Sequence, residues 1–153
     1  MSGVEEALLG AARLEADDDV LVLGGSSLAF GAQSRLASGW VYVVRREVDD
    51  LEELLREAHS TGATGLAYLV GEPPVLPLPD GAVAAAVGSL GAADVSAAAA
   101  ELARVLVAGG HVALAETERT SADALAAALE SAGFRDVALA ELGDGVVVSG
   151  TRA

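Results

Sequence analysis

The chain has 153 residues and a mass of 15.2 kDa, enough for one domain built around a single core. Its 23 acidic residues against 9 arginines and no lysine give a net charge of −14, which argues against nucleic acid and anionic membranes as partners. There is no cysteine, so disulfides, thiolate metal sites and cysteine nucleophiles are excluded. Hydrophobic residues make up 52% of the chain but aromatics only 3%, so the core is aliphatic, and 33 alanines let helices and strands pack closely. The run MSGVEEALLG carries acids where an export signal needs basic charge, and every apolar run is broken before the ~18 residues of a membrane span. A cytoplasmic chain is expected.

In chain order, residues 1–17 supply a short helix, Val4–Leu14, the acidic turn Glu15–Asp19 leads into the core, and the core in 18–153 completes one domain over 1–153. Val20–Leu23, Val41–Val44, Leu66–Val70, Ala82–Val87 and His111–Ala115 are too short for helices and too continuous for half-exposed strands, so they read as buried parallel strands. Between the first two, Leu28, Ala32 and Leu36 share a helix face before Gly39. After the second, Val48, Leu51, Leu54, Leu55 and Ala58 form an apolar stripe opposite Asp49, Asp50, Glu52, Glu53 and Glu57, a face expected to meet solvent. Residues 73–81 hold four prolines and read as a loop. Ser96 can cap a helix carrying Ala99, Leu102, Ala103 and Leu106 to a stop at Gly109–Gly110. Thr120 with Asp123 fits a capping box, and Leu125, Leu129 and Ala132 run to Gly133. The alternation of strand and helix calls for a parallel sheet with right-handed crossovers. Only Glu141–Gly145 separates Val137–Ala140 from Val146–Ser149, so these form a hairpin and one of the last two strands runs antiparallel.

Three segments then occur in order: Leu76-Pro-Leu-Pro-Asp-Gly81, Glu101-Leu-Ala-Arg-Val-Leu-Val-Ala-Gly-Gly-His-Val-Ala-Leu114, and Ala132-Gly-Phe-Arg-Asp-Val137. They resemble the "LPFPDGSFD", "EIARVLKPGGRVVL" and "AGFxDV" segments of the class I S-adenosylmethionine-dependent methyltransferases of small-molecule, type 11-like kind, over about residues 18–152. The resemblance implies an α/β three-layer sandwich of Rossmann-like methyltransferase fold. Its seven-stranded, mostly parallel sheet has the order 3-2-1-4-5-7-6, with the last strand antiparallel.

In such sheets ligands sit outside the carboxyl ends of the strands at the switch point, which places the candidate site at residues 24–28, 45–46, 71–73 and 88–91. The first turn reads Val20-Leu-Val-Leu-Gly-Gly-Ser-Ser-Leu28, so Gly24 and Gly25 are present. Val22 replaces the family's acid, while Ser26 and Leu28 replace its second and third glycines, and Leu28 is expected to crowd the turn. Gly24–Ser27 reads either as a tight turn with a serine cap or as a cofactor loop. Arg45 stands where the family has an acid accepting both ribose hydroxyls, and a guanidinium has no acceptor. Arg45 and Arg46 are either charges balancing Glu47, Asp49 and Asp50 or a pair that reads an anion. In Gly71-Glu72-Pro73, Glu72 can still accept from an adenine amine. Ala84 replaces an acid of the fourth strand, and Ser89 lies where the family contacts substrate.

Losing a hydrogen bond to a charged acceptor costs roughly 1.5–3 kcal/mol, about 10- to 100-fold in affinity. The candidate cofactor set is therefore Gly24, Gly25, Ser26, Arg45, Glu72 and Ser89, holding S-adenosylmethionine weakly or holding no cofactor. No catalytic residue stands out, and two histidines make no metal cluster. His59, His111, Glu116 and Arg104 read as surface or structural residues. Two functions follow: a non-catalytic methyltransferase-like binding or assembly partner, or an active small-molecule methyltransferase using Gly24–Ser26 and Glu72. A small molecule or a protein is the expected partner. Alanine-rich helices and a mean hydropathy of +0.46 leave apolar surface that a homodimer or a different partner would hide, self-association strengthening with salt.

Overall fold

The computed structural model describes residues 2–62, 64–91 and 93–153. Its elements are α1 (Gly3–Ala11), β1 (Val20–Leu23), α2 (Ser26–Ser34), β2 (Val41–Arg45), α3 (Val48–Thr61), β3 (Leu66–Val70), β4 (Val83–Gly88), α4 (Val95–Val105), β5 (Leu106–Glu116), α5 (Arg119–Ser131), β6 (Phe134–Leu142) and β7 (Gly145–Arg152). The strands form one sheet in the order β3-β2-β1-β4-β5-β7-β6, and β7 pairs antiparallel with both of its neighbours. This is the three-layer α/β sandwich expected from the sequence. Among the described residues no helix is long and apolar enough to cross a membrane.

Two apolar clusters hold the layers. One packs Leu102, Val105, Leu125 and Leu129 of α4 and α5 on Leu21, Ala86, Val112 and Leu114. The other packs Leu8 and Leu9 of α1, Leu28 and Ala32 of α2, and Leu54 of α3 on Val20, Val22, Val43 and Val87. Burying each such leucine or valine is worth roughly 1.5–3 kcal/mol, and no polar or charged residue among those described is fully buried to offset it. The side chain of Leu51, assigned to the α3 stripe, lies outside the described set.

Helix ends differ from the sequence reading for identifiable reasons. α1 stops at Ala11 because Arg13 turns to φ 50, and its start is a capping box between Ser2 and Glu5. Gly25, not a serine, caps α2, and no side chain bonds that end. Asp94 rather than Ser96 caps α4, its carboxylate accepting from the Ala97 amide at 3.1 Å. α5 begins after Glu118, so Thr120 and Asp123 lie inside the helix, and Asp123 accepts instead from Arg119 at 3.2 Å. α4 does not run on to Gly109–Gly110. Leu106 pairs with Val83 and is fully buried, so β5 starts there and runs through an irregular stretch before regaining register at His111. The hairpin strands also extend further, pairing out to Phe134 and Arg152 across a bulge at which Asp136 adopts φ 54.

The crossover from β3 to β4 contains no helix among its described residues. Leu76 plugs it into the core, and α4 holds it in place. The Glu101 carboxylate accepts from the Leu76 amide at 2.7 Å, while Arg104 donates to Glu101, to Asp80 and to the Leu76 carbonyl. The hydrogen bond from Arg104, which outweighs partial desolvation, holds the Glu101 carboxyl below its ordinary 4.5. Its contribution is therefore full above pH ~4.5 and fades as pH falls through the lower folded value. The Glu101→Gln variant is expected to melt below the wild type at pH 7, the gap closing as pH drops through the carboxylate range in paired thermal melts.

β1 and β4 end side by side, with Leu23 paired to Gly88. A side-chain carbon on Gly88 would lie 2.1 Å from the Leu23 carbonyl oxygen, and Gly88 sits at φ 138. Gly88→Ala is expected to cost at least about 2 kcal/mol from overpacking plus an unfavourable backbone. At roughly 2–4 °C per kcal/mol for a chain of this size, calorimetry should show a melting temperature lower by several degrees.

Candidate functional site

Where β1 and β4 part, an open cleft of about 580 Å³ lies over the carboxyl ends of β1, β2 and β4. Four of the expected residues line it: Gly24 and Gly25 from the turn after β1, Arg45 from β2, and Ser89 from the turn after β4. Gly71 and Pro73 form the wall beyond β3. Ser26 faces a neighbouring recess of about 190 Å³, shared with Arg45, Asp50, Glu53 and Glu57. Glu72 is not part of the cleft lining. Its carboxylate is taken by Arg46 at 3.1 Å.

Arg45 separates cleft from recess, and its guanidinium is committed on both sides. One Nη donates to the Gly24 carbonyl at 2.8 Å, and the other lies 3.6 Å from the Asp50 carboxylate. Asp50 belongs to the helix face expected to meet solvent, yet here it is the partner of Arg45. Both arginines are thus paired locally, and Glu47 and Asp50 in the lining balance them, so the cleft has no excess of basic groups. The geometry gives no support to a site tuned for anions.

Leu28 and Ala84, two departures from the family's pattern, lie away from the cleft. Leu28 does not crowd the cleft. It is 4% exposed, packs in the core cluster beneath the turn, and lies 3.0 Å from where a side chain on Gly24 would begin. Helical geometry explains this, because the third residue of α2 faces the sheet while the first, Ser26, faces the neighbouring recess. Ala84 lies at the amino end of β4, its amide bonded to the Asp19 carbonyl, at the opposite end of the strand from the site.

Sequence reasoning missed Gly88 as the residue that lets the floor of the site close. The signal available was its position as the last residue of a buried strand at the switch point. The other candidate groups lie apart from the cleft. His111 pairs with the Thr151 hydroxyl at 3.1 Å in the middle of β5, and Glu116, at its carboxyl end, has its pKa raised by burial. Among the described residues, only Glu15, Asp17 and the half-buried Asp18 bring three carboxylates together.

Neither a family model nor a curated protein matches the chain by sequence. Solved structures do match in shape. A precorrin methyltransferase from Geobacter metallireducens superposes with a TM-score of 0.82 at 16% identity, covering 97% of this chain and 87% of that one. An S-adenosylmethionine-dependent methyltransferase from Aquifex aeolicus gives 0.81 at 22% identity, covering 97% and 89%. The cyclase SpnF gives 0.82 at 14% identity, covering 97% and 79%. At such identities the likeness establishes architecture: the chain is built on the Rossmann-like fold of the class I S-adenosylmethionine-dependent methyltransferases.

Proposed function

We propose that this protein keeps the methyltransferase fold as a non-catalytic binding or assembly partner, with a cleft that holds S-adenosylmethionine weakly or not at all. The observation that carries this reading is the tether of Arg45 to the Gly24 carbonyl. A ribose diol at the end of β2 needs an acceptor for its hydroxyl hydrogens, and a guanidinium offers only donors. The guanidinium is also fixed across the turn on which the cofactor's backbone contacts depend. Losing one hydrogen bond to a charged acceptor, roughly 1.5–3 kcal/mol, moves a micromolar site about 10- to 100-fold toward millimolar. The likeness to SpnF, described as a cyclase, supports treating fold and methyl transfer as separable.

One observation favours the second reading, an active small-molecule methyltransferase. The cleft is roomy, and its lining carries no net positive charge to repel a cationic sulfonium, since Glu47 and Asp50 match Arg45 and Arg46. Methyl transfer from a sulfonium needs mainly in-line positioning, so the absence of an evident base among the lining residues does not count against it.

Titration calorimetry with S-adenosylmethionine and S-adenosylhomocysteine decides between them. The expected dissociation constant is no tighter than about 0.1 mM. The Arg45→Asp variant, which restores an acceptor and frees Gly24, is expected to bind at least about tenfold more tightly. Low-micromolar binding by the wild type overturns the non-catalytic reading. Leu28→Gly is no such repair: it empties a buried leucine site and is expected to cost about 3 kcal/mol or more of stability in a denaturant melt.

A further inference from the structure

The β3-to-β4 crossover leaves part of the sheet without a covering layer. The helices packed on β2 and β3 are α2 and α3, and they lie on the side of the second apolar cluster. On that side β2 presents Val41 and Val43. On the other, β2 presents Tyr42 and Val44, which pair across to Ala67 and Leu69 of β3. Val44 is buried, but Tyr42, Ala67 and Leu69 are only partly buried, Tyr42 and Leu69 resting on the edge of the first cluster, and the helices that pack substantially on β2 and β3 are α2 and α3 of the opposite side. Trp40, two residues before Tyr42 and bonded into the ladder through its carbonyl, is 49% exposed. Neither of these strand faces carries a charged side chain at these positions.

One end of this apolar face borders a concentration of negative charge. Asp19 accepts from the Trp40 amide at 2.9 Å, and Gly39 lies so close to Asp18 that a side-chain carbon there would meet its carbonyl at 1.7 Å. The carboxylates of Glu15, Asp17 and Asp18 lie within 4.8 Å of one another, and among the described residues none forms an ion pair with an arginine. A second copy of this chain fits the face poorly. Two-fold pairing would bring two such clusters to one interface in a protein of net charge −14.

We propose that the β2–β3 face docks a basic amphipathic helix of a partner protein. The helix lays its apolar stripe along Trp40, Tyr42 and Leu69 and sets lysine or arginine against Glu15, Asp17 and Asp18. This deepens the assembly-partner reading, on which it rests, by naming the surface and the chemistry of what it binds. The apolar contact supplies the burial, and the carboxylates select a cationic partner and speed its encounter.

Trp40 is the chain's only tryptophan, so its emission reports on this face alone. The probe is a leucine–lysine amphipathic peptide, compared with a leucine–glutamate peptide of the same pattern. Saturable blue shift of Trp40 emission is expected with the lysine peptide and not with the glutamate peptide, weakening as salt is raised. Combining Asp17→Asn with Asp18→Asn should weaken binding at least tenfold. Combining Glu52→Gln with Glu130→Gln, an equal charge change on the exposed sides of α3 and α5, should leave it within about twofold.

No shift with either peptide overturns the proposal, as does an equal shift with both. Equal losses in the two double variants overturn it too, since attraction would then be to net charge alone. A concentration-dependent Trp40 shift without peptide, with a dimer in sedimentation equilibrium, assigns the face to a second copy instead. The cofactor titration is independent: tight S-adenosylmethionine binding removes the non-catalytic reading whatever Trp40 reports, and failure at Trp40 leaves that titration standing.

Discussion

The near-contact of Gly88 with the Leu23 carbonyl is the constraint on which the site depends. β1 and β4 are the central neighbours of the sheet, and their carboxyl ends come together only because position 88 has no side chain. From that point the two chains diverge. β1 enters the Gly24–Gly25 turn into α2, and β4 enters the Ser89 turn, whose amide still bonds the Leu23 carbonyl at 3.0 Å. The cleft is the space opened by this divergence, so its floor is fixed by backbone and its selectivity is left to the side chains above it, Arg45 first among them.

Arginine is scarce here and is used as a connector. Arg45 joins β2 to the turn after β1, Arg46 joins it to Glu72 beyond β3, and Arg104 ties the β3-to-β4 crossover to α4. Arg35 reaches Glu6 in α1, Arg119 reaches Glu141 in β6, and Arg152 donates to the Leu106 carbonyl. Exposed pairs of this kind are each worth little. Arg45, Arg104 and Arg152 differ because they bond main-chain carbonyls.

The strands were legible because burial forces short, continuous apolar runs, and a five-residue gap between the last two leaves only a hairpin; their order followed from the resemblance of three segments to the class I methyltransferases. Caps were less legible. Asp94 and Ser96 are both good capping residues two positions apart, and only the backbone decides which one meets a free amide. Gly109–Gly110 read as a helix stop, but the pairing of Leu106 with Val83 ended α4 earlier. In the site, Arg45 and the two glycines were legible from topology. The tether of Arg45 to Gly24 was not, since a bond to a carbonyl 21 residues away leaves no pattern in the sequence. Helical periodicity placed Leu28 on one apolar face with Ala32, and both are buried there, so the crowding of the turn expected of Leu28 does not occur.

The place of β7 in the sheet bears on how the molecule is assembled. It follows in sequence both of the strands it separates, β5 and β6, and pairs with each over most of its length. A nascent chain that has reached only Leu142 therefore holds β5 and β6 with a strand-wide gap between them, and the carboxyl edge of β5 stays open. Its first four strands can associate as they emerge, because β1, β2, β3 and β4 contain their own neighbours. The second half closes only when the hairpin folds back and inserts, a long-range pairing that comes late and leaves apolar edges exposed to neighbouring chains until it does.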